Sequence, residues 1–234
     1  MRYAKTRSKR THASQELRLD SSQSMSVQRL QEWWTPFVII DFAETAALND
    51  ALSAIILRKE RECLAKSNSP KPFPQNFAAF SQLWDTQELL SWKGEAIHRF
   101  RKLLDKGTEA YWKFAAPAGR AFAPSKRTVW ANVSRQADWH GYHSHYSGGT
   151  DTMSGVYWVK VPTLSRSSNQ VDGHTIYYDP RGPFHPSRQK KVLEPTPGRM
   201  VIHPSWLPHS VAPVRASDAV RISIAFDIHC GGPL

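Results

Sequence analysis

The chain has little cysteine. Two in 234 residues, Cys63 and Cys230, stand far apart and form no C-x-x-C pair, which excludes a disulfide framework. A reducing compartment, the cytoplasm, is the expectation. Long apolar runs are also missing. The longest, at 37–40 and 51–57, fall well short of the roughly 20 residues that a membrane helix needs, so no membrane partner is expected. No internal repeat is visible, which excludes solenoids and propellers. Acidic residues are sparse at the N-terminus. The first 30 residues carry seven Lys and Arg against Glu16 and Asp20, and so hold +5 of the net +11. That composition suits a solvated tail, and leaves open a basic arm for an acidic partner or a transit-type leader.

What is present is a core and many aromatics. Hydrophobic residues make up 40% of the chain, enough for one domain, and nine Trp and sixteen Pro favour a loop-rich fold over a helix bundle. Three regions differ in character. Residues 1–25 read as a basic, flexible tail. Residues 26–126 read as mainly helical, with an early strand at 35–42 and helices at 43–64 and 84–104, the second continuing at 109–114 beyond Gly107. Residues 127–234 read as short strands punctuated by Gly and Pro. Helices first and strands after predict an α+β domain, with the helices packed on one face of a β-sandwich or barrel.

Seven of the ten histidines fall between His140 and His209. His143 and His145 are two apart on an expected strand, so both rings leave one face and can chelate one ion. His209 follows a Trp206-Leu207-Pro208 turn into another strand and supplies a third ligand. Three protein ligands on one face leave positions open for a co-substrate. His140 and His203 suit hydrogen-bonding roles beside the ion rather than ligation. In the last strand Val220, Ile222, Ile224 and Phe226 alternate with Arg221, Ser223, Ala225 and Asp227. The apolar set can pack under the helices. The second set then faces the histidines, and an arginine there needs a partner. A bound carboxylate is one, matched in geometry to guanidinium, with the Ser223 hydroxyl as a second donor. A structural ion pair of Arg221 with Asp218 or Asp227 is the other.

The motifs W-x-N at 130–132, H-x-H at 143–145, S-G-V-Y-W-V at 154–159, H-P-S-W-L-P-H-S-V at 203–211 and R-I-S-I-A-F at 221–226 together resemble the 2-oxoglutarate/iron(II) oxygenases of the prolyl-4-hydroxylase-like group. The resemblance covers about residues 127–228. It implies a double-stranded β-helix, or jelly roll, carrying the N-terminal helices on one sheet. It also implies iron(II), 2-oxoglutarate and dioxygen as cofactor and co-substrates. His143 takes the first metal position, His209 the distal one, and Arg221 with Ser223 binds the far carboxylate of 2-oxoglutarate. Asn132 and Tyr157 or Trp158 lie on strands that commonly line the co-substrate pocket, although Trp158 and Trp206 also suit plain core positions.

One position departs from the wider pattern, which has a carboxylate where this chain has His145. Three arrangements stay open: His145 ligates, water takes its place, or Asp151 swings in from the following loop. The Ser-rich stretch 163–172 suits a mobile loop that closes over a site. The implied activity is hydroxylation of an unactivated C–H in a small molecule, amino acid or peptide. A cupin-like metal sensor is a second reading, and a nucleic-acid demethylase of the same chemistry a third, although nucleic acid is not the expected partner.

Overall fold

The computed structural model describes residues 35–66, 89–116, 120–145, 152–162, 172–182, 190–215 and 220–230, and the backbone of short strands at 15–17, 25–32, 78–79 and 81–82. Two helices dominate the first half. α1 (Ala46–Lys66) buries Leu48, Leu52 and Ile56, a spacing of four that keeps them on one face. α2 (Glu95–Ala115) buries Ile97, Phe100, Leu103, Leu104, Tyr111 and Trp112. Each large apolar side chain so buried contributes about 1.5–3 kcal/mol, so packing on the sheet, more than intrinsic propensity, holds the helix.

The second helix differs from its sequence expectation at its start and continues past Gly107 as expected. Residues 89–91 form a 3-10 turn, and Gly94, with φ 127°, turns the chain into α2, so the helix begins at Glu95 rather than near 84. Gly107 does not interrupt it. There α2 presses on the sheet, and an added Cβ would stand 2.6 Å from the sulfur of Met200.

Thirteen described strands form two antiparallel sheets: β1 (Gln15–Leu17), β2 (Met25–Glu32), β3 (Thr35–Phe42), β4 (Ala78–Ala79), β5 (Ser81–Gln82), β6 (Pro124–Ser134), β7 (Trp139–His143), β8 (Thr152–Lys160), β9 (Thr175–Tyr178), β10 (Lys190–Leu193), β11 (Arg199–Pro204), β12 (His209–Val211) and β13 (Arg221–Cys230). The major sheet runs β1-β2-β3-β11-β8-β13-β6-β5 and the minor sheet β10-β9-β12-β7-β4. The expected α+β class and double-stranded β-helix are what the chain adopts. β1 and β2 extend the major sheet where the sequence reads as a tail and the start of a helical region. β10 falls in a basic run that reads as a solvated loop, because it is a half-exposed edge strand.

Alternation divides the major sheet into two faces. Ile222, Ile224, Phe226 and Ile228 of β13 and Val129, Ala131 and Val133 of β6 join the cluster beneath α1 and α2. The alternate positions turn toward the minor sheet. Between the sheets a smaller cluster, Phe37, Ile39, Trp158, Val201, Tyr177, Leu193 and Leu207, closes one part of the space. The polar site fills another part. Asp151 and all of the 163–172 stretch except Asp172 lie outside the described residues.

Candidate active site

The two sheets bring His143, His145 and His209 together, with one ligand atom from each within 4.8 Å of the others. His143 ends β7 and faces His209, the first residue of β12, in direct register. His145 lies just past β7, where its backbone N–H donates to the Ser205 carbonyl at 2.8 Å. All three rings are held the same way round. Nδ1 of His143 lies 2.8 Å from the Gly141 carbonyl oxygen, Nδ1 of His209 3.0 Å from that of Leu207, and Nδ1 of His145 2.9 Å from Oδ1 of Asp227. Carbonyl and carboxylate oxygens only accept, so each Nδ1 carries the proton, which leaves Nε2 as the nitrogen that can bind a metal.

Burial favours the neutral form of His143 and His209. It pushes the His143 pKa down to about 4 and that of His209 well below its ordinary value. Two more histidines border the same cleft. His203, pushed down to about 4 by burial, has Nδ1 2.9 Å from the Pro204 carbonyl oxygen, and its ring centroid is 5.2 Å from that of His209. His140 stacks on His143, and burial pushes it to about 2, helped by His143, His145 and Arg221.

Arg221 opens β13 and is 3% exposed. Its Nη1 donates to Ser223 Oγ over a long 3.3 Å, and among the described residues its Nε has no partner. Burial lowers its pKa to about 10. Asn132 Oδ1 and Thr175 Oγ1 are also buried without a hydrogen bond, and all four residues line the cleft that the histidines line. Asn132 sits opposite Ser223 in the β6–β13 register. The ion pair with Asp227 does not form: Asp227 accepts from His145 and Ser154 instead. Asp218 lies outside the described residues.

Residues 128–227 match the family model described as "Putative 2OG-Fe(II) oxygenase", a span that runs from β6 to Asp227 and holds every residue of the cleft named above. Over this span the chain is similar to the 2-oxoglutarate/iron(II) oxygenases. Enzymes of this family use iron(II), 2-oxoglutarate and dioxygen. No curated protein matches the chain by sequence. Similar solved structures include a Pseudomonas putida prolyl-4-hydroxylase, 15% identical, with a TM-score of 0.54, covering 80% of this chain and 88% of that one. A Trichoplax adhaerens prolyl hydroxylase in complex with a peptide fragment of hypoxia inducible factor is 13% identical, with a TM-score of 0.54 and 83% of each chain covered. The carbocyclase SnoK of nogalamycin biosynthesis is 13% identical, with a TM-score of 0.52 and coverage of 82% and 79%. At these identities the likeness is one of fold.

The cleft fits the groups that the matched family uses. Three imidazoles whose ligand atoms converge are a donor set for iron(II). A buried guanidinium with an unpaired Nε, beside the orphaned Thr175 hydroxyl, fits one end of a dicarboxylate.

Two expected co-substrate residues are elsewhere. Tyr157 faces the helices, where its hydroxyl donates to Asn49 Oδ1 at 2.7 Å and its ring meets Phe100. Adjacent strand residues point to opposite faces, so only one of Tyr157 and Trp158 can look inward. Trp158 does, but it packs in the inter-sheet cluster and does not line the cleft. Thr175, Trp130 and Ser154 do line it without having been singled out. Trp130 stacks on His145 at 5.6 Å. Thr175 carries no sequence signal, since a β-branched residue at a strand start is ordinary. Trp130 was visible in W-x-N, but its ring contact depends on the loop that returns His145.

Proposed function

We propose that this oxygenase hydroxylates an unactivated C–H bond of a small molecule, an amino acid or a peptide, with 2-oxoglutarate converted to succinate and carbon dioxide. One observation carries the reading: a buried arginine without a carboxylate partner shares a cleft with three imidazoles aimed at one point. His143, His145 and His209 hold the metal through Nε2. Arg221 and Ser223 bind the far carboxylate of 2-oxoglutarate, and Thr175 offers a hydroxyl donor beside it. When bound, the iron supplies the oxidative chemistry, joining dioxygen activation to decarboxylation of the co-substrate.

The protein's own part is positioning and exclusion of water. Leu207, Gly141 and Asp227 keep the proton on Nδ1 of each ligand ring, so none is free to rotate its Nε2 away. Trp130, Val156 and Ala225 give the cleft apolar walls, which strengthen the pairing of Arg221 with an anion. A metal-binding sensor without turnover has no use for a buried, unpaired guanidinium, which is why the enzyme reading is preferred. The similar folds include a peptide-bound prolyl hydroxylase and an antibiotic carbocyclase, so the architecture serves both substrate sizes.

The test is a succinate-release assay on iron-loaded protein across a panel of amino acids and peptides, beside elemental analysis of variants. His143→Ala and His209→Ala are expected to lose stoichiometric metal while staying folded. Full metal content in either variant would overturn the site.

A further inference from the structure

Where the wider superfamily has a carboxylate ligand, this chain has His145, and an aspartate stands directly behind it. Asp227 holds His145 Nδ1 with both oxygens, at 2.9 and 3.1 Å. The contact is sheltered, with the two side chains 14% and 15% exposed. Asp227 is itself fixed, because Ser154, its direct cross-strand neighbour on β8, donates to Oδ1 at 2.5 Å. Asp227 is not among the side chains whose ligand atoms converge, so its charge reaches the site through the imidazole.

We infer that Asp227 is the positioning residue of the metal site, supplying through His145 the negative charge that the ligand set lacks. This rests on the three-histidine reading above. The charge balance supports it. A divalent metal, a doubly charged 2-oxoglutarate and the Arg221 guanidinium, held by three neutral imidazoles, leave one positive charge uncompensated in a poorly solvated cleft. A carboxylate ligand would cancel it. Asp227 cancels it from one residue further out, and polarises the His145 ring so that Nε2 becomes a better donor. Ser154 acts as a strut that stops the carboxylate from turning to solvent.

The test separates charge from geometry. Asp227→Asn keeps an acceptor for His145 and removes the charge, Asp227→Ala removes both, and Ser154→Ala removes the strut. Manganese(II) affinity is measured by calorimetry, the cobalt(II) absorption spectrum reports ligand-field changes, and thermal melting checks the fold. Asp227→Asn is expected to weaken manganese binding by about 10- to 100-fold and to shift the cobalt bands, with Asp227→Ala weaker still and Ser154→Ala closer to wild type. In the double variant His145→Ala/Asp227→Asn the second change is expected to add nothing, because Asp227 acts only through His145. Wild-type affinity and an unshifted cobalt spectrum in a folded Asp227→Asn protein would overturn the inference. So would further loss in the double variant, since Asp227 would then reach the metal by itself. Retention of metal by His143→Ala is a different result: it would remove the triad, not only the role of Asp227.

Discussion

His140 lies on His143, ring centroids 3.7 Å apart and planes 19° from parallel, although residues three apart on a regular strand point to opposite faces. The cause is a bulge. His209 pairs with His143 and Val211 with His140, so β7 places two residues, Gly141 and Tyr142, where β12 places one, Ser210. Such an extra residue re-aims the side chains on either side of it.

Deleting Tyr142 would restore the regular register and turn one of the two histidines out of the cleft. Tyr142 is 64% exposed, so its side chain is not needed for the core. Tyr142→Ala is therefore expected to bind metal normally, and the single-residue deletion to bind none while retaining its sheet content. Elemental analysis and circular dichroism check both. Normal metal content in the deletion variant would contradict the bulge's role.

Arg221→Ala is expected to weaken 2-oxoglutarate binding far more than metal binding. A charge-assisted pair contributes on the order of 1.5–3 kcal/mol, roughly a ten- to hundredfold change in affinity. Arg221→Lys recovers part of it, because lysine lacks the forked geometry. Calorimetric titration of 2-oxoglutarate into the manganese-loaded variants decides the matter. Unchanged affinity in a folded Arg221→Ala protein would remove the anchor.

Acid is expected to destabilise the metal-free protein. His143 and His203 have folded-state pKa values near 4, below the ordinary 6.5. Above pH 6.5 neither the folded nor the unfolded chain protonates them. As the pH falls from 6.5 toward 4, the unfolded chain takes up protons that the folded one refuses, and stability is lost across that window. His140 and His209, also pushed down, add to the loss. Bound metal adds a further proton competition to the same window. Urea midpoints taken at about pH 7 and about pH 5 should differ, and equal midpoints would contradict the burial of neutral rings.

Gly155→Ala is expected to destabilise the fold by about 1–3 kcal/mol through overpacking. A Cβ there would run into the Phe226 ring and stand 2.5 Å from the Val201 carbonyl oxygen. The backbone oxygen cannot move aside as a flexible side chain could. Denaturant unfolding measures the loss, and a variant as stable as wild type would show that β8 and β11 can part locally.

The sequence by itself determined much of this protein. Period-two alternation in β13 and β6 separated the helix-facing set from Arg221, Ser223 and Asn132, and helical spacing found the buried faces of α1 and α2. These patterns are local, set by how successive side chains leave one backbone. The histidines were legible in part: H-x-H marked two rings and the turn before His209 offered the third, but His145 lies past the end of β7 and is placed by its bond to Ser205 rather than by strand alternation. Tertiary structure decided the rest. Which residue stands opposite which depends on register between strands distant in sequence, and a slip of one position reverses a face. Register put Ser154 beside Asp227 and Thr175 in the cleft, and the bulge put His140 on His143. It also left Trp158 inward but beyond the cleft, and made Gly107 a point of helix–sheet contact rather than a break. Each of these is a contact between segments that no local period couples, so it exists only once the two sheets have closed on each other.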